Sequence, residues 1–470
     1  MFIQSRAGLR LCAASMCAAM LAACATYVPQ PIDPAAQSFS FESRRLDSAE
    51  ARQALEDGLG RKAEPWPPAL WRFPDLSLVA ARFNPDVAVA IAERHSAEAG
   101  LIVAGQRPNP GLSTIIQKNQ DAVSGTSPWT YGFTLDVPVE TAGKRDHRIQ
   151  QSRQLINAAA WREADIRWQV RSRVRAAMLA AYPTEATVTR LQASQEAFVA
   201  AMEKRLAAGY IARPDLTQTQ LALNQTRLLL TEARKQQDEG RVRLAASIGV
   251  SNVALDEVTV DFSEFETLPA IDALPAPEAR RQALLNRPDV LAALANYEAS
   301  QIALQLEIAK QYPDFSIGPG YTWDQGAAKW SLGLSLALPL LNQNQGGIAL
   351  AQAKREEMAA TFASVQAKAI GEVEQAMTVY RHALQTYGTA QDILRQQKAT
   401  ERTARAAFTA GQIDRIEWLS ASYQATAADK SRIDALVQAQ NALGKLEDAL
   451  RRPLAHDTSR PLGRVQAQGE

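Results

Sequence analysis

The sequence predicts an α+β membrane protein whose chain carries two internal repeats. Two kinds of pattern support this fold class: pairs of strands with one apolar face, and helices far longer than a globular domain needs. After the N-terminal segment, no run of about 18 apolar residues indicates a transmembrane helix. We therefore expect strands to make any crossing of the membrane.

The clearest strand pair lies at residues 312–347, which read YPDFSIGPGYTWDQGAAKWSLGLSLALPLLNQNQGG. Apolar residues alternate with small or polar ones from 315 to 323 and again from 330 to 338, with a turn from Asp324 to Gly326 between them. This period of two is typical of strands with one apolar and one polar face. Two soluble hairpins packed face to face would alternate in the same way. Aromatic residues near the strand ends favour a sheet that faces lipid, and the predicted membrane belt consists of Trp129, Tyr131, Trp323 and Trp330.

The charges of the chain are balanced. Its 470 residues include 51 lysines and arginines and 50 acidic residues, which gives a formal net charge of +1. This balance does not suggest a nucleic-acid partner. The four histidines lack metal-ligand spacing, and the sequence has no nucleophile, metal or phosphate motif. We therefore predict no catalytic residue, no metal site, no cofactor and no enzymatic activity.

Residues 1–23 have the pattern of a lipoprotein signal peptide. A short basic region precedes an apolar region, and small residues lead to Cys24. This resembles a bacterial lipobox, which is cut before Cys24 and lipidated there; an ordinary signal peptide followed by a chance cysteine is the alternative. Because Cys12 and Cys17 lie in the removed segment, the mature chain would contain no internal disulfide.

Residues 24–74 predict an extended, proline-rich N-terminal arm with one short helical pattern from Ser48 to Leu59. A longer helix pattern follows from Asp75 to about Gln106, where two prolines end it.

A second strand pair follows this helix. Its return strand, Trp129 to Val137, again has an apolar face and a face of small and polar residues, which includes Asp136. Asp136 is predicted either to line the lumen of a barrel or to form a hydrogen bond within the rim of the sheet.

Landmarks of the first half of the chain recur about 200 residues later. Pro85 and Pro288 are 203 residues apart, and Gly209 and Gly411 are 202 residues apart. This offset predicts two copies of one unit, which consists of a helix, a hairpin, a long helix, a glycine turn and a returning helix. The predicted segments are a first repeat at 75–249, a connector at 250–278, a second repeat at 279–450 and a polar C-terminal tail at 451–470.

The long helices are predicted from about Arg145 to Ala207 and from about Ile348 to Thr409, and each could reach about 90 Å. In the second, apolar or small residues recur at steps of three and four, which predicts a long contact with a neighbouring helix.

Two residues are predicted to weaken these long helices. Pro183 predicts a kink in the first long helix, and Gly388 is the nearest weak point in the second.

Two shorter helices are predicted to accompany the long ones. The shorter helices at 75–106 and 213–247 together match the length of one long helix, so they could stack end to end beside it.

Several segments together resemble the TolC family of outer-membrane efflux ducts. They are the lipobox, the duplicated unit, RPDV at 287–290, YPDFSIGPGY at 312–321 and LPLLNQNQGG at 338–347. Two further segments are more similar to the heavy-metal branch of that family, of the Czc and Cus type, than to its multidrug branch. They are PVETAGKR at 138–145 and NQNQG at 342–346.

The resemblance implies a homotrimer, in which a 12-stranded β-barrel in the outer membrane is continuous with a long periplasmic α-helical barrel. Part of this follows from physical reasoning alone. Because four strands are too few to close and an open edge cannot face lipid, other copies of the chain must complete the barrel. The implied partners are outer-membrane lipid, a periplasmic adaptor protein and an inner-membrane antiporter of the RND type. The implied location is the bacterial outer membrane, with a lipid anchor and an extension into the periplasm.

The two glycine turns are similar to the tip motif of the family, where the duct meets the adaptor. Gly209 and Gly411 suit left-handed helix caps, and this role alone would explain them. An acid follows each glycine by six residues, Asp215 in the first turn and Glu417 in the second. Asp215 suits the first turn of a helix, and Glu417 suits a capping box behind Asp414. Capping alone, and capping together with an acidic gate ring, both remain open.

The remaining gate candidates are two arginines of the same turns. Arg213 and Arg415 could pair across the tips and hold the aperture shut. Family members carry a second acid three residues after the position of Glu417, whereas this chain has Ser420. This departure weakens the case for a cation-selective ring.

The function predicted from these features is a passive exit duct of a tripartite efflux pump, for metal cations or small organic compounds. One alternative is a periplasmic coiled-coil structural lipoprotein without a channel. Another is a multidrug rather than a heavy-metal exit duct.

Overall fold

The computed structural model describes residues 26–121, 125–270, 281 and 284–454. The predicted signal peptide, Cys24 and most of the predicted C-terminal tail lie outside these residues. The chain divides at Arg44 into two units. The described part of the first unit contains helix α1 (Pro34–Glu42), which Asp33 caps by accepting a hydrogen bond from the Ala35 N–H at 2.9 Å.

The second unit begins with the rest of the predicted N-terminal arm. Helix α2 (Ala49–Leu59) matches the predicted short helix, and Ser48 caps it as an N-cap hydroxyl should. This part of the arm is anchored at its end, because Trp71 is buried and pairs with the connector. Its N–H donates to the carbonyl oxygen of Thr259 at 2.9 Å, and the N–H of Asp261 donates to the carbonyl oxygen of Trp71 at the same distance.

The elements of the second unit follow a similar order in its two halves. The first half contains α3 (Phe73–Phe83), α4 (Pro85–Gly105), β1 (Gly111–Lys118), β2 (Trp129–Val139), α5 (Lys144–Ala180), α6 (Glu185–Ala207) and α7 (Arg213–Ile248). The second half contains α8 (Pro288–Ala309), β3 (Phe315–Asp324), β4 (Ala327–Leu336), α9 (Gln345–Thr409) and α10 (Arg415–Leu450). Short 3-10 turns at Asn252–Leu255 and Ser263–Glu266 lie in the connector.

The helix predicted from Asp75 to Gln106 is two helices, so this prediction is wrong. Asn84 ends α3 with an extended backbone, and Pro85 then starts α4 at the position where a helix tolerates proline. The side-chain oxygen of Asn84 accepts from the N–H of Asp86 at 2.9 Å, which caps the new helix.

The first predicted long helix is also divided. The kink expected at Pro183 is a complete break between α5 and α6, whereas α9 continues for 65 residues and passes through Gly388 without interruption. Proline explains the break, because it has no N–H for the helical hydrogen-bond ladder.

In the part of the chain that the structure describes, four strands form one antiparallel sheet in the order β1-β2-β3-β4. Tyr131 lies opposite Trp323, and Tyr321 lies opposite Trp330. The predicted turn between β3 and β4 is confirmed, since Gln325 and Gly326 both have positive φ angles, of 50° and 102°.

Two main groups of buried side chains hold the helices together. The larger one joins α3, α5, α7 and the connector, and it includes Trp71, Phe73, Val174, Met178, Leu244, Ile248 and Phe265. The smaller one joins α9 to α10 and includes Val373, Ala376, Tyr380, Leu443 and Leu446. The predicted apolar stripe of the second long helix is thereby confirmed. Among the residues that the structure describes, no helix is long and apolar enough to cross a membrane.

Candidate functional site

The sheet presents an apolar face that the chain itself leaves exposed. Trp330 is 81% exposed and Leu332 is 76% exposed, although both belong to a regular strand. The register brings most of the apolar residues of the four strands to this one face, because paired residues, and side chains two residues apart, point the same way. A face this apolar and this exposed marks a surface that lipid or another protein covers.

The four predicted belt aromatics lie on this face, in the part of the sheet nearest the β3–β4 turn. Tyr131 is central, with its ring centroid 6.0 Å from that of Trp129 and 6.1 Å from that of Trp323, both in stacked geometry. Trp330 packs against Tyr321 at 5.0 Å. Aromatic rings at this level are typical of strands that end at a membrane–water interface.

The opposite face of the sheet consists mainly of small and polar residues, with Ile115 of β1 as an apolar exception. Asp136 lies on it opposite Gly111, and its side chain is exposed. Within the described residues its carboxylate has no hydrogen-bond partner, so the predicted bond within the sheet rim is not formed in the single chain. The placement fits the lumen interpretation.

Each long helix begins directly below the sheet, at a residue with a left-handed backbone. Gly143 precedes α5 with φ of 67°, and Asn344 precedes α9 with φ of 62°. The ammonium group of Lys144 donates to the carbonyl oxygen of Tyr312 at 2.6 Å and to the carboxylate of Asp314 at 2.7 Å. This buried lysine therefore fixes the first long helix to the start of β3.

Asn344 makes polar contacts at the start of the second long helix, in this case to helix α8. Its amide nitrogen donates to the carbonyl oxygen and to the carboxylate of Glu307, both at 2.8 Å. The second long helix is thus fixed to the helix α8 that precedes β3, whereas Lys144 fixes the first long helix to the start of β3 itself.

The two glycine turns at the far ends of the long helices have the same geometry. Gly209 has φ of 73° and Gly411 has φ of 71°. After each glycine, the next N–H donates back to a carbonyl five residues earlier, from Tyr210 to Arg205 at 2.9 Å and from Gln412 to Ala407 at 2.8 Å. This is the hydrogen bond of a left-handed helix cap, so the structural role predicted for both glycines is confirmed.

The acids after these turns also cap helices. The carboxylate of Asp215 accepts from the N–H of Ala212 at 3.2 Å at the start of α7. At the start of α10, Asp414 accepts from the N–H groups of Ile416 at 2.8 Å and of Glu417 at 2.9 Å. These bonds, above all the one from Glu417, lower the pKa of the Asp414 carboxyl, and the guanidinium of Arg205 adds to the effect.

The contact that joins the two tips differs from the predicted one. Among the described residues, the exposed guanidinium groups of Arg213 and Arg415 form no ion pair, and the side chain of Glu417 is exposed. Arg205, in the last turn of α6, instead forms an ion pair with Asp414 at the start of α10. Arg205 is not among the gate residues predicted from the sequence. Its one local signal is its position in the last turn of a helix, where a positive charge is favourable.

The structure offers no evident metal centre at these tips. Across residues 26–121, 125–270, 281 and 284–454, no group of three or more His, Cys, Asp or Glu side chains is placed to hold a metal ion.

Comparison with known proteins agrees with this arrangement. A sequence model described as outer membrane efflux protein matches residues 77–250 and 279–450. The cobalt-zinc-cadmium resistance protein CzcC of Cupriavidus metallidurans is 27% identical over 276 residues, which are 57% of this chain and 63% of CzcC. The match therefore spans less than two thirds of this relative.

Solved structures show the same fold. A membrane protein from Pseudomonas aeruginosa matches with a TM-score of 0.65 and 19% identity, over 81% of this chain and 90% of that one. CusC, whose crystal structures concern folding and transmembrane channel formation, matches with a TM-score of 0.62 and 18% identity, over 82% of this chain and 95% of that one. The resemblance to the TolC family, near its Czc and Cus branch, is thus confirmed, and the chain belongs to the outer membrane efflux protein family.

Proposed function

We propose that the chain is the outer-membrane exit duct of a tripartite efflux pump. The observation that carries this proposal is the exposed apolar face of the sheet, with its aromatic belt, which Lys144 joins directly to the first long helix. Such a sheet suits a lipid environment, and the helices below it suit a wall that extends into the periplasm. The membership in the efflux family supports the same function.

The proposed assembly is a homotrimer. The described sheet has four strands, and β1 and β4 are its outer strands. Backbone groups at such edges cannot remain unpaired in lipid, so each edge needs a strand from another copy. Three copies would give a 12-stranded β-barrel above a helical barrel, with the two halves of each chain acting as quasi-equivalent repeats.

In this assembly the helix tips form the closed entrance. The Arg205–Asp414 ion pair holds α6 against α10 within one chain. Glu417 and Arg415, both exposed beside it, face the neighbouring copies or the adaptor protein. The duct has no enzymatic activity and no cofactor, an inner-membrane antiporter of the RND type supplies the energy, and a lipid on Cys24 anchors the mature chain.

The proposed cargo is a metal cation. The support is the relationship to CzcC, whose name concerns cobalt, zinc and cadmium resistance. Small organic compounds are the second candidate, since the fold alone does not distinguish between the two.

The experiment that tests the function has two parts. The purified protein in a planar lipid bilayer should form channels, and it should migrate as a heat-sensitive oligomer on gels. A strain that lacks the gene should become sensitive to cobalt, zinc or cadmium and recover when the gene is restored. Sensitivity only to organic compounds would replace metal by organic cargo. Release as a soluble monomer after Cys24→Ser, without any conductance, would favour the structural lipoprotein instead.

A further inference from the structure

One charged side chain lies on the apolar face of the sheet. Lys118 ends β1 and is paired with Trp129, so its side chain points to the same side as the ring of Trp129. The other charged residues of the four described strands lie on the opposite face; they are Asp136, Asp324 and Lys329. A charge on a face that lipid covers is costly at the middle of the membrane and nearly free of cost at its surface. The level of Lys118 in the sheet therefore decides what it meets.

Lys118 lies at the end of the apolar face that is far from the long helices. From Trp129 to Val139, β2 extends for about 33 Å. At a tilt of about 40°, this length spans about 25 Å, which is the height of the apolar band of a transmembrane barrel. Val139 is at the end that leads into α5, so Trp129 and Lys118 lie at the level of the lipid headgroups on the outer side. This level rests on the proposed function, in which the strands cross the membrane.

The ammonium group of Lys118 has no acidic partner in the part of the chain that the structure describes. It lies 5.9 Å from the centroid of the Trp129 ring, which is within the range of a cation–π contact, and its side chain is exposed. Asp121, in the loop that follows β1, is also exposed and forms no ion pair with any described residue. The single chain therefore leaves the positive charge of Lys118 without a counter-charge.

The proposed trimer supplies no acid on this face either. Because β1 is an outer strand, it lies beside β4 of a neighbouring copy in the closed barrel. On the apolar face, β4 carries no charged side chain and presents Ala328, Trp330, Leu332, Leu334 and Leu336. A counter-charge for Lys118 must therefore come from outside the protein. At the level of the headgroups, the anion at hand is the phosphate group of a lipid.

Two uncharged donors lie beside the ammonium group. The rings of Trp129 and Tyr131 are stacked, with centroids 6.0 Å apart and an interplanar angle of 15°. Among the residues with described positions, neither the indole N–H of Trp129 nor the hydroxyl group of Tyr131 has a hydrogen-bond partner. Both kinds of group are typical of membrane interfaces, where the ring is apolar and its polar end meets an acceptor. Phosphate oxygens accept hydrogen bonds from all three donors.

We propose that Lys118, Trp129 and Tyr131 bind the phosphate group of a membrane lipid at the outer end of the barrel, one lipid for each chain. The ammonium group supplies the charge, and the indole and hydroxyl groups supply further hydrogen bonds. Below them, Phe133 and Leu135 continue the same face and give the acyl chains an apolar surface. A phosphorylated glycolipid and an anionic phospholipid both carry such a phosphate group.

Lipid titrations of the full-length protein in detergent, followed by native mass spectrometry, test this site. The probes are bisphosphorylated lipid A, the same glycolipid without its phosphates, phosphatidylglycerol, and diacylglycerol as its phosphate-free counterpart. We expect Lys118→Gln to bind the phosphorylated lipids about fivefold more weakly than the native protein, which is the effect of one basic residue at a lipid headgroup. Lys118→Arg should keep most of the affinity because it keeps the charge. The phosphate-free lipids should bind all variants equally.

Lys329→Gln is the matched control. Lys329 carries the same charge at the same end of the sheet, but it lies on the opposite face, where it pairs with Asp324 at 2.7 Å. Equal weakening by both glutamine variants would assign the effect to net charge and overturn the site, and so would an unchanged affinity in Lys118→Gln. If only one of the two phosphorylated lipids responds to Lys118→Gln, that lipid is the source of the phosphate.

Single-channel conductance of the same preparations tests the duct separately. Normal conductance together with lipid binding that does not depend on Lys118 overturns only the lipid site. Lipid binding that depends on Lys118 and on the phosphate, in a protein without conductance, overturns only the duct.

Discussion

The guanidinium group of Arg287 donates through Nη1 to the carbonyl oxygen of Ala449 at 2.8 Å, which joins the start of α8 to the end of α10. In the other half of the chain, 203 residues earlier, Asn84 donates through Nδ2 to the carbonyl oxygen of Ser247 at 2.8 Å, which joins the start of α4 to the end of α7. Carbonyl groups at a helix end have no partner within their own helix. Each of the two side chains therefore supplies the missing hydrogen-bond donor for a carbonyl group at a helix end.

Removal of Arg287 should destabilise the protein strongly. The side chain is 2% exposed and also pairs with Asp289 at 2.7 Å and with Glu372 at 2.9 Å. Arg287→Ala leaves both acids without their shared partner. We expect the free energy of unfolding to fall by about 3 kcal/mol. This is the lower end of the range for a broken buried ion pair, because both acids reach solvent. Chemical denaturation followed by circular dichroism measures it, and a loss below about 1 kcal/mol would contradict this role.

Substitutions of Asn84 separate its two hydrogen bonds. Asn84→Ala removes both the helix cap and the hydrogen bond to Ser247, and we expect the free energy of unfolding to fall by about 2 kcal/mol. Asn84→Asp keeps an acceptor for the N–H of Asp86 but sets a buried carboxylate against the carbonyl oxygen of Ser247, so the free energy of unfolding should fall at least as far as in Asn84→Ala. The same denaturation measurement compares them. If Asn84→Asp is as stable as the native protein, the bond to Ser247 contributes nothing.

Loss of the tip contacts should open the channel. We expect Arg205→Ala to raise the single-channel conductance in a planar bilayer, because it removes the ion pair with Asp414. Glu417→Ala and Arg415→Ala should also raise it if these side chains act between copies at the entrance. Arg227→Ala is the control, since it removes an exposed ion pair with Glu196 between α7 and α6, away from the tips. An unchanged conductance in all three tip variants would remove these residues from the gate.

Acid should weaken the same tip. The pKa of Asp414 is lower in the folded protein than its ordinary value of about 3.9. Its contribution to stability is therefore complete above that ordinary value and is lost as the pH falls through the lowered pKa. We expect conductance to rise as the pH is lowered below about 4, and Asp414→Asn to remove this step. A step of equal size in Asp414→Asn would assign it to another group.

Alanine substitutions at Gly209 and Gly411 test how much a left-handed backbone conformation destabilises a residue that has a side chain. Nothing lies within 4 Å of a Cβ built on Gly209, on Gly411 or on Gly371, so alanine meets no steric obstacle at any of them. Gly209→Ala and Gly411→Ala should each destabilise the tip turn by about 1 kcal/mol because their φ angles are positive. Gly371→Ala, inside α9, should stabilise the protein by a similar amount. Hydrogen exchange at the turns and in α9 would show both effects, and equal protection changes at all three sites would contradict the assignment.

Local sequence patterns predicted most of the helices, strands and helix caps. The alternation around Trp330 predicted a strand, and Gly411 predicted a left-handed cap, because each rests on interactions between near neighbours in sequence. The break at Asn84 was missed, although an N-cap residue before a proline is a local signal for a helix start. The Arg205–Asp414 pair was missed for a different reason. Its partners are 209 residues apart, and no local pattern states which distant side chain an exposed arginine will meet.

The open edges of β1 and β4 have a genetic consequence. In the proposed trimer, each edge strand pairs with an edge strand of the neighbouring copy. One chain with a damaged edge strand would therefore prevent two intact chains from closing the barrel. If a cell expressed native and damaged chains in equal amounts, only about one trimer in eight would contain three native copies. Alleles that place a proline within β4 should therefore act dominantly, whereas alleles that abolish the chain should be recessive.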